Sequence, residues 1–304
     1  MHLIHRQYNM KRFLSIFILI GLAFSVTATT YERLTARMND HFDHAEWNEV
    51  LQETEKMVQT QPSDADPYSA ALIAAQFLDD INTENSYLTL SQRNRIHIDS
   101  LLQHVYTRTR QLHNAQVYES LLLNLKANHK GLARVFNIYL IDFYSFARKT
   151  HETIAIADEL LKATPNNNRF KKLKADALFY QGDTEEAVSL YNSIIQSDTT
   201  NYDVITILAA YYTAQADKYI EQLDHNYTTD SIPNDSLYTA QKQIIIDTHV
   251  TTALDMLNRA CNIRTSIFLE KEIARMKSVT CQPPLHPSAR SNSILNILNV
   301  VKKN

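Results

Sequence analysis

The sequence predicts an all-α protein assembled from stacked helical hairpins. Three observations carry that prediction: a near absence of glycine, long stretches free of proline, and a recurrence close to 34 residues. The chain of 304 residues has three glycines, Gly21, Gly131 and Gly182, where average usage would supply roughly twenty. Tight turns, β-bulges and phosphate-cradling loops all draw on glycine, so hairpin-rich sheets and glycine-rich nucleotide loops are excluded. No proline stands between Pro67 and Pro165, or between Pro165 and Pro233, which leaves two long windows without the strongest helix breaker.

The N-terminal segment reads as an address rather than as fold. Lys11 and Arg12 precede an apolar run from Phe13 to Phe24, followed by Ser25-Val26-Thr27-Ala28. A positive start, a short apolar core and small residues at the cleavage position make a secretory signal peptide, cut after Ala28, with Met10 as an alternative start. The other reading is an uncleaved anchor, but twelve residues rise only about 18 Å as a helix, short of the roughly 30 Å hydrocarbon core. Export is therefore the expected localisation, periplasmic or secreted, with no membrane span after cleavage.

Hydrophobic residues make up 44% of the chain and charged residues 21%, as in a folded soluble protein. Removing residues 1–28 takes away three cations and no acid, leaving 27 basic residues against 33 acidic. A mildly acidic chain lacks the footprint of a nucleic-acid binder.

The clearest repeat runs Phe179-Tyr180-Gln181-Gly182-Asp183-Thr184-Glu185-Glu186-Ala187 and continues through Leu190, Tyr191, Ile194 and Ile195. Gly182 permits a turn, Glu185 and Glu186 favour a helix N-terminus, and Ala187 is small where two helices cross. Leu190, Tyr191, Ile194 and Ile195 make an apolar stripe. Thr153 lies 34 residues before Ala187, and the segment after it ends at Pro165. An earlier helix from Ala45-Glu46-Trp47 ends at Pro62, and the two prolines are 103 residues apart, close to three periods. The register starts units near Tyr31, Ala65, Ser100, Arg134, Thr164–Arg169 and Tyr202.

This pattern resembles the tetratricopeptide repeat over about 190 residues. The resemblance implies a right-handed α–α superhelix whose first helices line a concave, peptide-binding groove. Ala45 and Arg148 stand where that family favours glycine, Val50 and Thr153 where it favours alanine, and Asn82–Ser86 makes a poor second helix. Transferring the groove face to the best unit singles out Arg169, Lys172, Asp176, Phe179 and Tyr180. The preceding unit contributes Ile138, Asp142 and Phe146. Aromatic side chains with arginine are what protein interfaces concentrate.

Residues 223–236 read as a polar loop, with a long helix from Leu237 to Cys261 and another from Ser266 to Val279 beyond it. Gln282-Pro283-Pro284 begins a linker, and Ile294, Ile297, Leu298 and Val301 share a helical face, either as a capping helix or as a partner-binding one. The expected division is thus signal peptide 1–28, repeats 29–222, further helices 223–280, and linker with terminal helix 281–304. Cys261 and Cys281 are a candidate disulfide for an oxidising compartment. If 266–279 is a straight helix it spans about 20 Å, against the roughly 7 Å a bridge tolerates, so a bridge requires that segment to be bent or shorter.

No catalytic motif is present: no G-x-S-x-G elbow, no Walker loop, no dinucleotide turn. His41-Phe42-Asp43-His44-Ala45-Glu46 is the most metal-like cluster, yet it lacks H-E-x-x-H spacing and falls at a helix–helix turn. The expectation is an exported scaffold that binds a protein or peptide without cofactor, metal or catalysis. The alternative is a helical enzyme or small-ligand receptor with a pocket between the repeats and the Leu237–Val279 helices.

Overall fold

In the computed structural model, residues 30–228 and 235–281 are described, and every regular element among them is helical. Helix α1 spans residues 30–43. It is followed by α2 (Trp47–Thr60), α3 (Asp66–Phe77), α4 (Ile81–Arg93), α5 (Ile98–Gln111), α6 (Ala115–Asn128), α7 (Ala133–Phe146), α8 (Thr150–Ala163), α9 (Asn168–Gln181) and α10 (Thr184–Ser197). The last are α11 (Tyr202–Thr228), α12 (Asp235–Ile245), α13 (Thr251–Ile263) and α14 (Ile267–Cys281). The fold is all-α and runs in tandem helix pairs of the tetratricopeptide type. First helices begin at 30, 66, 98, 133, 168 and 202, each within two residues of a predicted start or inside its window. Pro62 and Pro165 stand just beyond the ends of α2 and α8, where a proline blocks continuation.

The turns inside the pairs share one backbone solution. Ala45, Asp79, His113, Arg148 and Gly182 all have positive φ, at 57°, 54°, 53°, 56° and 95°. Each closes its helix with the paired bonds of a Schellman motif. Glu46 N donates to His41 O at 2.9 Å and Ala45 N to Phe42 O at 3.2 Å; Asp183 N donates to Leu178 O at 3.0 Å and Gly182 N to Phe179 O at 3.3 Å. The residue after the left-handed one then becomes the N-cap of the next helix; at Asp80 the side chain also accepts from Thr83 N. Arg95, between α4 and α5, adopts the same conformation at φ 60°. Only one of these six positions is glycine. Tertiary packing therefore holds the others in a region that costs an L-residue roughly 1–2 kcal/mol.

Contacts divide the chain into two compact units, parting between Phe143 and Tyr144. In the first, α3 is central and packs on α2, α4, α5 and α6. Ala70, Ala71, Ala74 and Ala75 are fully buried, so small side chains let several helices close on this one from different sides. Arg108 on α5 donates Nε to Asp66 Oδ1 (3.0 Å) and Nη2 to Asp66 Oδ2 (2.6 Å), and Nη2 also reaches Asn39 Oδ1 at 3.1 Å. Its guanidinium lies 4.9 Å from the Phe42 ring centre. One buried cation thereby ties α1, α3 and α5, the first helices of three successive pairs. Trp47 stacks flat on Phe77, centroids 4.1 Å apart. Helix α4 forms despite its polar start, because Asp80 caps it and Leu88 is buried.

In the second unit, α8 packs on α9, α9 on α10, α10 on α11, and α11 on α13. Ala187, Tyr191, Ile194, Leu208, Ala216 and Leu257 belong to one buried core, so the small residue and the stripe read from sequence are core. Here the loop expected over 223–236 needs correction: α11 continues to Thr228 and α12 begins at Asp235. The apolar stripe continues through Ala216, Ile220 and Leu223. Tyr238 Oη donates to Asp224 Oδ1 at 2.6 Å, and its ring lies 4.7 Å from Tyr227, which holds the end of α11 in helix. Helices α12 and α13 are continuous through a π-turn over Ile246–Val250. Arg275 on α14 makes a bidentate pair with buried Asp217, at 2.8 and 2.9 Å, and a second pair with Glu272. The sequence-based division at residue 222 therefore falls inside α11 and inside this unit. Among the described residues no helix is long and apolar enough to cross a membrane. The expected signal peptide, the expected linker and terminal helix, and the Cys281 side chain lie outside the described residues.

Candidate binding cleft

A cleft of about 530 Å3 opens in the second unit, lined from the end of α7 through α11. That volume is within the range that holds a small ligand or a few peptide side chains. Its composition follows from the repeat register. First helices α9 and α11 present Ala177, Ala210 and Ala214 as a recessed floor, while Phe179, Tyr180 and Tyr211 rise as walls. Alanine at these positions leaves a depression that larger side chains would fill. Tyr180 is 53% exposed, so an aromatic face is offered to solvent at the rim.

The polar groups are largely committed to one another. Lys172 Nζ lies 2.8 Å from Asp176 Oδ2, and Tyr191 Oη donates to Asp176 Oδ1 at 2.7 Å. Burial, reinforced by the adjacent Asp176 carboxylate, pushes the Tyr191 phenol far above its ordinary range, so it stays a protonated donor. Asn192 Nδ2 donates to Tyr212 Oη at 3.1 Å, pinning α10 to α11. At the rim, Gln181 Nε2 donates to Thr150 Oγ1 at 2.9 Å. Arg148, in the left-handed turn between α7 and α8, sets its guanidinium 5.2 Å from the Tyr180 ring centre. It makes no ion pair with another described residue. Burial first, then Tyr212 and Glu185, pushes the Tyr211 phenol up.

Of the residues singled out from sequence, Lys172, Asp176, Phe179 and Tyr180 line this cleft together. Phe146 is 86% exposed and lies outside the lining, as does Arg169, which sits over Phe170 at 5.7 Å. Ile138 is half-buried and Asp142 exposed, both in the first unit. Sequence reasoning missed Arg148, Tyr191, Ile207, Tyr211 and the alanine floor. The period contained a signal for two of them: Tyr211 is Ala177 shifted by 34, and Arg148 is Gly182 shifted back by 34. The metal-like cluster resolves into pairwise contacts, His41 Nδ1 with Glu46 Oε2 at 2.6 Å and His44 Nδ1 with Asp40 O at 2.8 Å. No group of three potential ligands forms among the described residues.

No family model matches the chain, and no curated protein matches it. Solved structures are similar to it in fold. A Bacteroides ovatus protein is 18% identical, with 72% of this chain and 98% of that one covered at a TM-score of 0.45. A TPR repeats protein from Bacteroides fragilis is 15% identical over 82% and 98%, TM-score 0.38. A tetratricopeptide repeat protein from Parabacteroides merdae is 12% identical over 84% and 100%, TM-score 0.35.

Proposed function

We propose that this protein is an exported, non-catalytic scaffold that holds a protein or peptide partner in the cleft of its second unit. The observation that carries the reading is the cleft itself: an alanine floor between two consecutive first helices, walled by Phe179, Tyr180 and Tyr211. Such a hole takes a bulky side chain from a partner, and exposed aromatic rims anchor interfaces. The chemistry of the lining favours binding over reaction. Among the described residues no imidazole or thiol lines the cleft, and the carboxylate of Asp176 is held by Lys172 and Tyr191, so none of them offers a free general base beside a nucleophile. Between the repeats and the C-terminal helices, Ala209, Ala216, Ile220, Val250, Ala253 and Leu257 belong to one buried core. The depression that does open there, between α11 and α12 beside Tyr219, Leu223, Gln241 and Ile244, is smaller, at about 280 Å3.

Selection of a displayed random-peptide library against the full chain tests the proposal, with the Ala214→Phe variant run in parallel. Peptides enriched on the wild type should be lost when the floor is filled, and Tyr180→Ala should weaken them. Equal enrichment on the filled cleft refutes the site. Export is tested separately by fractionating the producing cells and measuring the mature N-terminus, expected at Thr29. A chain that keeps residues 1–28 and stays in the cytosol refutes export.

A further inference from the structure

The cleft is not electrically symmetrical, and its asymmetry specifies the occupant. Among the lining residues the formal charges are Arg148, Lys172 and Asp176. Lys172 and Asp176 cancel at 2.8 Å, so among the described residues Arg148 is the uncompensated charge of the lining. Its guanidinium rests on Tyr180, an aromatic already at the rim, and stacking of this kind leaves the in-plane N–H groups available to a carboxylate. An apolar depression with a cation at one rim favours an amphipathic ligand that carries an anionic group beside an apolar one.

We propose, on the reading that the cleft binds peptide, that its occupant is a segment carrying one large apolar side chain and a neighbouring aspartate or glutamate. The apolar side chain fills the depression over Ala177, Ala210 and Ala214, and the side-chain carboxylate lies against Arg148. The acidic group of this proposal is a side chain of the partner, and binding through a chain-terminal carboxylate is the outcome that would overturn it.

Short fluorescein-labelled, C-terminally amidated peptides test this by anisotropy with the full chain. Each carries one phenylalanine in a serine–glycine background, with aspartate, asparagine or lysine close by; a fourth has the asparagine and a free C-terminal carboxylate. The aspartate peptide should bind about three- to tenfold tighter than the asparagine one, as a partly exposed ion pair provides, and the lysine peptide weakest. Arg148→Gln should erase the aspartate preference, so that the aspartate and asparagine peptides bind it equally, with far-UV circular dichroism unchanged. Added salt should compress the same preference. Equal binding of the three amidated peptides overturns the proposal, as does preference for lysine or tight binding by the free-carboxylate peptide alone. If none of the four binds, the acidic occupant is refuted, while the library selection on Ala214→Phe still judges the cleft by itself.

Discussion

Glu84 should make the first unit lose stability as pH rises through neutrality. Its side chain is fully buried on α4, and neither carboxylate oxygen has a hydrogen-bond partner. Burial pushes its pKa from 4.5 up to about 7; Asn124, whose Nδ2 is turned to Gln76 Oε1 at 3.1 Å, opposes the rise only in part, and Asp79 and Asp80 add to it. The folded state therefore binds this proton more tightly than the unfolded chain. The advantage is complete below pH 4.5 and lost as pH climbs to about 7, after which the ionised group carries a constant penalty. That interval of pKa, at 1.36 kcal/mol per tenfold, amounts to about 3 kcal/mol. Glu84→Gln removes the charge and keeps the shape. The chain has a single tryptophan, Trp47, stacked on Phe77 in the same unit, so its fluorescence during urea unfolding reads this unit specifically. The difference between variant and wild type should be smallest near pH 4.5 and should shift by about 3 kcal/mol in favour of the variant by pH 8. A difference that stays constant across that range refutes the argument from burial.

Other outcomes follow from the turns and the buried ion pairs. Ala45→Gly and His113→Gly should each stabilise the chain by up to about 1 kcal/mol, since glycine relieves the left-handed strain at some cost in unfolded-state entropy. Gly182→Ala should destabilise by about 1 kcal/mol; thermal melts in which all three shift the same way would contradict the account of the turns. Asp217→Ala strands Arg275 with Glu272 alone and should cost about 2–3 kcal/mol, less than a wholly buried pair because the Arg275 side chain is 23% exposed. Hydrogen exchange should locate that loss in α11 and α14, and protection left intact there would refute the pin. Phe146→Ser, by contrast, should leave both stability and peptide capture within error, since the ring is 86% exposed and lies outside the cleft lining; a clear loss of capture would move the binding surface.

The helix pairs were legible because their punctuation is chemical. Pro62 and Pro165 stop second helices, Gly182 permits its turn, and Ala187 lies at a helix crossing with no exposure. The remaining turns were hidden, because nothing in alanine, aspartate, histidine or arginine announces a left-handed backbone; packing imposes it. The end of α11 misled for a different reason. Asn226 and Thr228 are loop-forming residues by preference, yet Leu223 and the Asp224–Tyr238 bond hold them in helix. The α9 share of the cleft could be read from its own unit. The α11 share required carrying the period one unit further, from Ala177 to Tyr211, and the rest of the lining comes from α7, α8, the turn between them and α10.

The left-handed positions have a further consequence. Their side chains, Ala45, Asp79, Arg95, His113 and Arg148, are exposed, and their backbone geometry is dictated from beneath. The core thus fixes where each of these residues stands while leaving its chemistry unconstrained. Substitution at these points can add, delete or invert a charge at a set location without redrawing the helices. On the proposed binding role, Arg148 beside Tyr180 is the position where such a change would alter the choice of partner one residue at a time.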